Sequence, residues 1–316
     1  GCSTENNQAE NHSEEKETIE SSNQDDKSSF PVTVEVDGEK VTIEEKPEKM
    51  IPLSLDVAEI VLELTDPSRV VAITKGIDDP YLSTKSEEAK DIPNRIGSAV
   101  HIDPEEILSY DKDLLLLTKM HGQEEEADHI LSQVDVPMIS FTTIGTVDEL
   151  FNHYMIIGKA IGEQKKAEEI VGKMKSEIES IQEHIPDTVD APGVLVLSEV
   201  GPGTGPFMMG PGNISYDLIR LAKATPAVDA IGLKHSAKAS IEQILKMDPD
   251  YIFLLDFTGK GEKAHRELIE SPGWNQLQAV KKNRLKILEA KYLMNPNREN
   301  IEGLSIMAKW IYDIEG

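Results

Sequence analysis

The segment DPEEILSYDKDLLLL, residues 103–117, returns as SIEQILKMDPDYIFL at residues 240–254. Aligned without a gap, the two agree at six of fifteen positions: Glu105 with Glu242, Ile107 with Ile244, Leu108 with Leu245, Asp111 with Asp248, Asp113 with Asp250 and Leu117 with Leu254. Each copy reads as a short helix, an acidic turn and an apolar strand. A chain that spells this unit twice is constrained to two similar halves, and 316 residues suffice for two domains with a core each.

The segments around the repeat fix the fold class. PVTVEVDGEKVTIEEKP alternates apolar and polar residues on both sides of Asp37-Gly38, a hairpin signal. KMIPLSL, RVVAIT, DLLLLT and VPMISFT are strands separated by helical or turn-forming stretches, the pattern of βαβ units with a mainly parallel sheet. A long helical stretch follows, broken at Gly162, and its second part over about 164–185 would be roughly 33 Å long. After Pro186 and Pro192 the alternation restarts with VLVLSEV. The expected architecture is α/β: two lobes with mainly parallel central sheets, joined by a single long α-helix, with a ligand cleft between them. The expected boundaries are a tether over 1–29, lobes over 30–163 and 187–316, and the linking helix over 164–186.

Composition removes several classes of partner. The net charge of −26 disfavours nucleic acid and anionic membrane surfaces. The chain has no run of 18 apolar residues, the minimum for a spanning helix. Its only cysteine, Cys2, follows Gly1 and precedes a polar stretch over 3–29 that cannot bury enough surface to offset its ordering entropy, so a disordered tether is expected. Gly-Cys at a processed N-terminus is similar to the end of a bacterial lipobox, which implies lipidation at Cys2. Two or more acyl chains give a stable anchor at about 0.8 kcal/mol per buried CH₂. The tether would hold the globule about 30 Å from the membrane on average.

Both repeated helices carry start signals. Asp103 is the N-cap of the first, with Pro104 at its first position. Ser240 caps the second, with Gln243 completing a capping box. The shared Glu105 and Glu242 complete neither box. A carboxylate near a helix start gains about 0.3–1 kcal/mol from the dipole, which accounts for one glutamate better than for a matched pair.

In order and spacing, PVTVEVDGEKVTIEEKPEKMIPLS, NRIGSAVHIDPEEILSYDKDLLLL, SIEQILKMDPDYIFLL and PGWNQLQAVKKNRLKILEAKYL make the chain resemble the substrate-binding proteins of bacterial ABC importers for ferric siderophores, haem and cobalamin, over about 31–313. The resemblance implies two lobes on one long helix and a monomer that captures a small-molecule iron chelate without catalysis or a resident cofactor. It also implies a location on the outer face of the cytoplasmic membrane, and docking of Glu105 and Glu242 onto arginines of a two-fold permease dimer. A pseudo-symmetric protein would then present one carboxylate per lobe to a symmetric transporter.

Ligands of open α/β sheets bind outside the carboxyl ends of the strands. GPGTGPFMMGPGN lies at such an end, yet Pro206 replaces the last glycine of a dinucleotide fingerprint and no Walker lysine is present, which excludes nucleotide. By the resemblance this stretch approaches the ligand, with Phe207, Met208 and Met209 as a soft apolar wall. Arg298 is the candidate cation for an anionic chelate, because a planar guanidinium matches chelate oxygens, and Arg95 reads as a surface ion pair. Tyr81 and Tyr292 could stack on or hydrogen-bond the ligand.

Haem is the alternative ligand. His101 stands in the loop before the first docking glutamate, where haem-binding relatives place an axial ligand, and Met120 follows the next strand. The relatives' methionine or tyrosine positions hold Val100 and Ser98 here. Zinc through His121 and His129 is disfavoured by the acidic residues between them, and a hydrolase by the missing G-x-S-x-G elbow.

Overall fold

The computed structural model describes residues 29–97, 102–119, 129, 131–187, 190–199 and 205–315. Cys2, His101 and Met120, with the tether over 1–28, lie outside the described residues.

The chain enters through an antiparallel hairpin, β1 (Val32–Val36) and β2 (Glu39–Ile43). Asp37 and Gly38 between them both have positive φ, 50° and 86°, the turn whose twist matches that of the flanking strands. Strand β3 (Met50–Pro52), helix α1 (Leu55–Leu64) and strands β4 (Ala72–Thr74) and β5 (Asn94–Ile96) follow. Helix α2 (Pro104–Ser109), strands β6 (Leu114–Thr118) and β7 (Met138–Phe141) and helix α3 (Val147–Ile161) complete this half. Strands β3, β6 and β7 pair in parallel in the order β3-β6-β7, and β4 pairs in parallel with β5. A parallel bridge between Met50 and Val70 joins the two pieces, giving the spatial order β5-β4-β3-β6-β7. All five residues of the central β6 are buried, as a strand covered on both faces requires.

Helix α3 stops at Gly162, whose φ of 77° lets its N–H cap the Gly158 and Lys159 carbonyls. Helix α4 (Gln164–Glu183) starts two residues later. The two cross so closely that a Cβ on Gly158 would stand 2.5 Å from the Ala167 Cβ.

The second half is built on β8 (Gly193–Ser198), β9 (Phe207–Met208), α5 (Ile214–Leu221), β10 (Thr225–Pro226), β11 (Ala237–Lys238), α6 (Ile241–Met247), β12 (Tyr251–Asp256), β13 (Leu285–Glu289) and α7 (Asn300–Tyr312), with shorter helical turns between them. Its sheet runs β11-β9-β8-β12-β13, with β10 beside β8; β8, β12, β13 and β10 are parallel and β9 antiparallel.

The repeat now has a structural reason. Asp113 accepts from the backbone N–H of Glu48 at 2.7 Å and of Lys49 at 2.9 Å, just before β3. Asp250 accepts from the N–H of Gly193, the first residue of β8, at 2.7 Å. In each half the same carboxylate clips the start of a central strand to its parallel neighbour. Ile107 and Ile244 are the buried residues of α2 and α6 and anchor each helix to its own lobe.

Helix α4 packs on α3 from one side and on α7 from the other. One hydrophobic cluster runs from Val32 and Ile60 through Ile157 and Met174 to Phe253 and Met307, so residues of both halves share a core. A shared core resists large relative movement, because packed interiors deform only at a cost.

Candidate functional site

The carboxyl ends of the first sheet are held by buried oxygens. Asp56, in the first turn of α1, accepts from Ser54 Oγ at 2.7 Å and from Thr118 Oγ1 at 2.5 Å, while Thr118 N–H donates to Ser54 Oγ at 3.0 Å. This triangle locks the start of α1 to the end of β6. Behind it, His153 is only 4% exposed and stacks on Phe141, ring centroids 3.7 Å apart; desolvation holds its imidazole below the ordinary histidine range.

The second sheet has a matching arrangement. Asp256, the last residue of β12, accepts from the backbone N–H groups of Thr258 and Gly259 at 3.0 and 2.9 Å and of Gly261 at 3.3 Å, fixing the loop that follows. Glu199, next after β8, is also buried. The sequence places the ligand outside the carboxyl ends of the strands, but the anchoring roles of Ser54, Asp56, Thr118 and Asp256 escaped it. A carboxylate at a strand's carboxyl end followed by small or hydroxyl residues is the signal that could have found them.

Among the described residues the two sets of loops meet at two places. Tyr81 O accepts from Lys291 N–H at 2.9 Å, and a Cβ on Gly259 would stand 2.5 Å from the Tyr81 hydroxyl. On the other flank, Val147 N–H donates to Asp217 Oδ2 at 2.8 Å, and a Cβ on Gly145 would stand 2.6 Å from Gly212 O. These contacts bring the carboxyl-end loops of the two sheets together.

Several sequence-derived candidates fall elsewhere. Arg298 donates from Nη1 to Glu63 of α1, and the same carboxylate takes Lys85 Nζ at 3.3 Å. Its guanidinium therefore joins the halves, which corrects the chelate-binding role. Arg95 pairs with Asp78 at 2.7 Å and also donates to the Ala89 and Ile92 carbonyls, the structural role expected of it. Met208 and Met209 are 0% and 2% exposed and point into the core, which corrects the apolar wall. Met208 and Met209 belong to different hydrophobic clusters, so both are covered by packing, and only the half-buried Phe207 of that trio keeps exposed surface. Tyr292 is half-buried beneath Lys291 Nζ, 5.4 Å from its ring centre, and desolvation raises its phenol above the ordinary range.

Glu105 and Glu242 are exposed at the second positions of α2 and α6, and neither forms an ion pair among the described residues. The N-caps hold as read: Asp103 accepts from Glu105 N–H at 3.0 Å and Ser240 Oγ from Gln243 N–H at 3.2 Å, but Gln243 Oε1 accepts from the Ser240 hydroxyl and not from its backbone N–H, so the expected capping box is incomplete. Sequence reasoning missed the interlobe pair of Glu63 and Arg298 and its neighbour Glu59. Glu59 accepts from Thr84 N–H at 2.9 Å and Thr84 Oγ1 at 2.5 Å, and burial pushes its carboxyl up. Glutamates four apart on a helix whose other residues after Asp56 are all apolar are the trace they leave.

A separate groove of about 680 Å³ lies between the hairpin and the edge of β7, lined by first-lobe residues alone, among them Lys40, Thr42, Met138 and Ser140. No group of three or more His, Cys, Asp or Glu among the described residues is placed to hold a metal ion.

A family model described as periplasmic binding protein matches residues 51–292. The chain belongs to the periplasmic binding protein family. Members of this class are solute-binding components of transport and not enzymes. Over 285 residues this periplasmic binding protein is 25% identical to YvrC of Bacillus subtilis (strain 168), an uncharacterized ABC transporter substrate-binding lipoprotein, covering 90% of this chain and 86% of that one. It is 24% identical over 226 residues to a cobalamin-binding protein of Halobacterium salinarum (strain ATCC 29341 / DSM 671 / R1), covering 71% of this chain and 58% of that protein. Its fold is similar to that of an ABC-type Fe3+-hydroxamate transport protein of Saccharomonospora viridis DSM 43017, with a TM-score of 0.71, 20% identity, and coverage of 89% and 99% of the two chains.

Proposed function

We propose that this binding protein captures a ferric siderophore in the cleft between its lobes and delivers it to the two-fold permease of an ABC importer. The observation that carries the reading is the pair Glu105 and Glu242. Both are exposed at the same position of equivalent helices, and the same aspartate clip and buried isoleucine orient each helix within its lobe. Rigidly held carboxylates, one per lobe, fit arginines of a symmetric partner. The lobes comprise residues 30–163 and 187–316, and 164–186 links them. Lipidation of Cys2 would keep the protein on the outer face of the cytoplasmic membrane, in keeping with the lipoprotein relative. The protein acts as a monomer.

Capture needs no chemistry from the cleft, only shape, hydrogen bonding and desolvation. The half-buried Tyr81, Tyr292 and Phe207 supply aromatic surface near the ligand-facing loops. Equilibrium dialysis of the purified protein against ferric siderophores, read by chelate absorbance, tests the reading. Micromolar or tighter retention of at least one chelate is expected. Retention of haem alone, with a Soret band, would assign the haem alternative and bring His101 and Met120 forward as its axial ligands.

A further inference from the structure

We infer that Asn300, with Asn297 beside it, is a positioning residue for capture: the two carboxamides hold the loop over 291–297 of the second lobe in the shape that sets Tyr292 in register with Tyr81 of the first. The ligand side of this inference rests on the capture reading above, and the geometry of the loop stands apart from it.

Both asparagines are 0% exposed, and a side chain of this kind is buried only with partners for its polar atoms. Asn300 Nδ2 donates to the carbonyls of Lys291, Tyr292 and Asn295 at 3.3, 3.1 and 2.9 Å, and its Oδ1 accepts from Asn297 N–H at 2.8 Å. Asn297 Nδ2 donates to Lys291 O and Asn295 O at 2.8 and 2.7 Å, and its Oδ1 accepts from Glu299 N–H at 2.7 Å. The loop draws these donors from side chains because its own backbone is short of them. Pro296 has no N–H, and the N–H of Lys291 is given to the other lobe. Helix α7 closes the space behind the loop, where a Cβ on Gly303 would stand 2.2 Å from Tyr292 O.

The loop acts across the lobe boundary. Lys291 N–H donates to Tyr81 O at 2.9 Å, so the segments bearing the two half-buried tyrosines are tied by one backbone bond. The first lobe fixes its own side with buried oxygens. Asp79 accepts from Tyr81 N–H at 2.9 Å, and Glu59, buried in α1, accepts from Thr84 N–H at 2.9 Å and from Thr84 Oγ1 at 2.5 Å. The Arg298–Glu63 pair ties the lobes from outside this loop. A ligand that meets groups already in place loses less freedom on binding than one that must order them.

The test is Asn300→Asp in the full chain, with Leu195→Ala as control. The carboxylate keeps the size of the side chain but cannot donate to the three carbonyls. The control truncates a buried residue of a cluster confined to the second lobe. Amide exchange is followed by NMR at Lys291 and at Leu254 of β12. In Asn300→Asp the exchange of Lys291 relative to Leu254 should rise at least about tenfold over wild type, and in the control this ratio should not rise. Titration with a ferric trihydroxamate and a ferric tris-catecholate should show binding at least about tenfold weaker in Asn300→Asp and changed less than about threefold in the control. Asn300→Ser, which keeps one donor, takes the place of the aspartate variant if that chain does not fold, with the same directions expected. Exchange at Lys291 that rises only in step with Leu254, or binding as tight as in wild type, would make Asn300 a stabilising residue alone and overturn the inference. Failure of both chelates to bind wild type at millimolar concentration would overturn the capture reading and the ligand side of this inference, while the exchange ratio still decides the loop geometry.

Discussion

Arg298 at the start of the last long helix donates to Glu63 at the end of the first, joining residues 235 positions apart. Glu63 is 8% exposed at its side chain and Arg298 32%, so the pair is shielded on the carboxylate side. Breaking it leaves Glu63 with Lys85 alone.

Arg298→Ala should therefore lower stability by about 1–3 kcal/mol, the cost of a poorly satisfied buried acceptor. Ligand affinity should change less than about threefold. Urea unfolding and a chelate titration on one preparation separate the two effects. A variant of unchanged stability that has lost its ligand would return Arg298 to the cleft.

Asp113 and Asp250 make the same clip in different lobes at different depths, and this predicts unequal results. Asp250→Ala should cost about 1–3 kcal/mol, because the Gly193 N–H is partly buried, whereas Asp113→Ala should cost only about 0.5–1.5 kcal/mol, because water reaches the N–H groups of the exposed Glu48 and Lys49. The double variant should lose the sum, since no partner is shared. Strong non-additivity in chemical denaturation would show that the lobes do not respond as separate units.

Replacing Glu105 and Glu242 together by Ala should leave the fold and chelate affinity nearly intact, for Asp103 and Ser240 still cap the helices. Import through the cognate permease should collapse, because a truncated charge pair in a desolvated contact costs roughly 2–5 kcal/mol. Labelled-chelate uptake at equal lipoprotein abundance is the readout. Normal uptake by the double variant would reduce both glutamates to helix-start residues.

Gly145 has no room for a side chain, since its Cβ would lie 2.6 Å from Gly212 O across the lobe contact. Gly145→Ala should wedge the lobes apart at about 1–3 kcal/mol of overpacking and weaken chelate binding in proportion. Thermal melts with and without chelate distinguish a lost fold from a lost closure. Unaltered binding in the variant would mean that this contact does not shape the cleft.

His153 should make an acid-labile contribution. Its folded value lies below the unfolded one, because burial outweighs the pull of Asp56, Glu149 and Asp37. The stability it permits is complete above the unfolded value near pH 6.5 and is lost as pH falls toward the depressed value, where only the unfolded chain takes the proton. His153→Phe, which keeps the stack on Phe141, should flatten that part of the stability–pH curve. An identical slope in wild type and variant below pH 6.5 would mean that His153 titrates freely in the fold.

The local elements were readable from the chain because each rests on neighbours in sequence. Asp37-Gly38 sets the hairpin by its own backbone preference, Gly162 ends α3 by adopting positive φ, and Asp103 and Ser240 cap helices that begin one residue later. The repeat announced two related halves, and apolar runs such as Leu114–Leu117 announced central strands. What Arg298, Met208 and Met209 do depended on partners far away in the chain. A guanidinium binds whichever carboxylate the packing brings near, and Glu63 arrived from 235 residues away. A methionine faces core or cleft according to what packs on its face of the sheet, here the two hydrophobic clusters that take up Met208 and Met209. Local backbone chemistry needs only the sequence, whereas the role of a side chain such as Arg298 follows from pairings that only the tertiary structure decides.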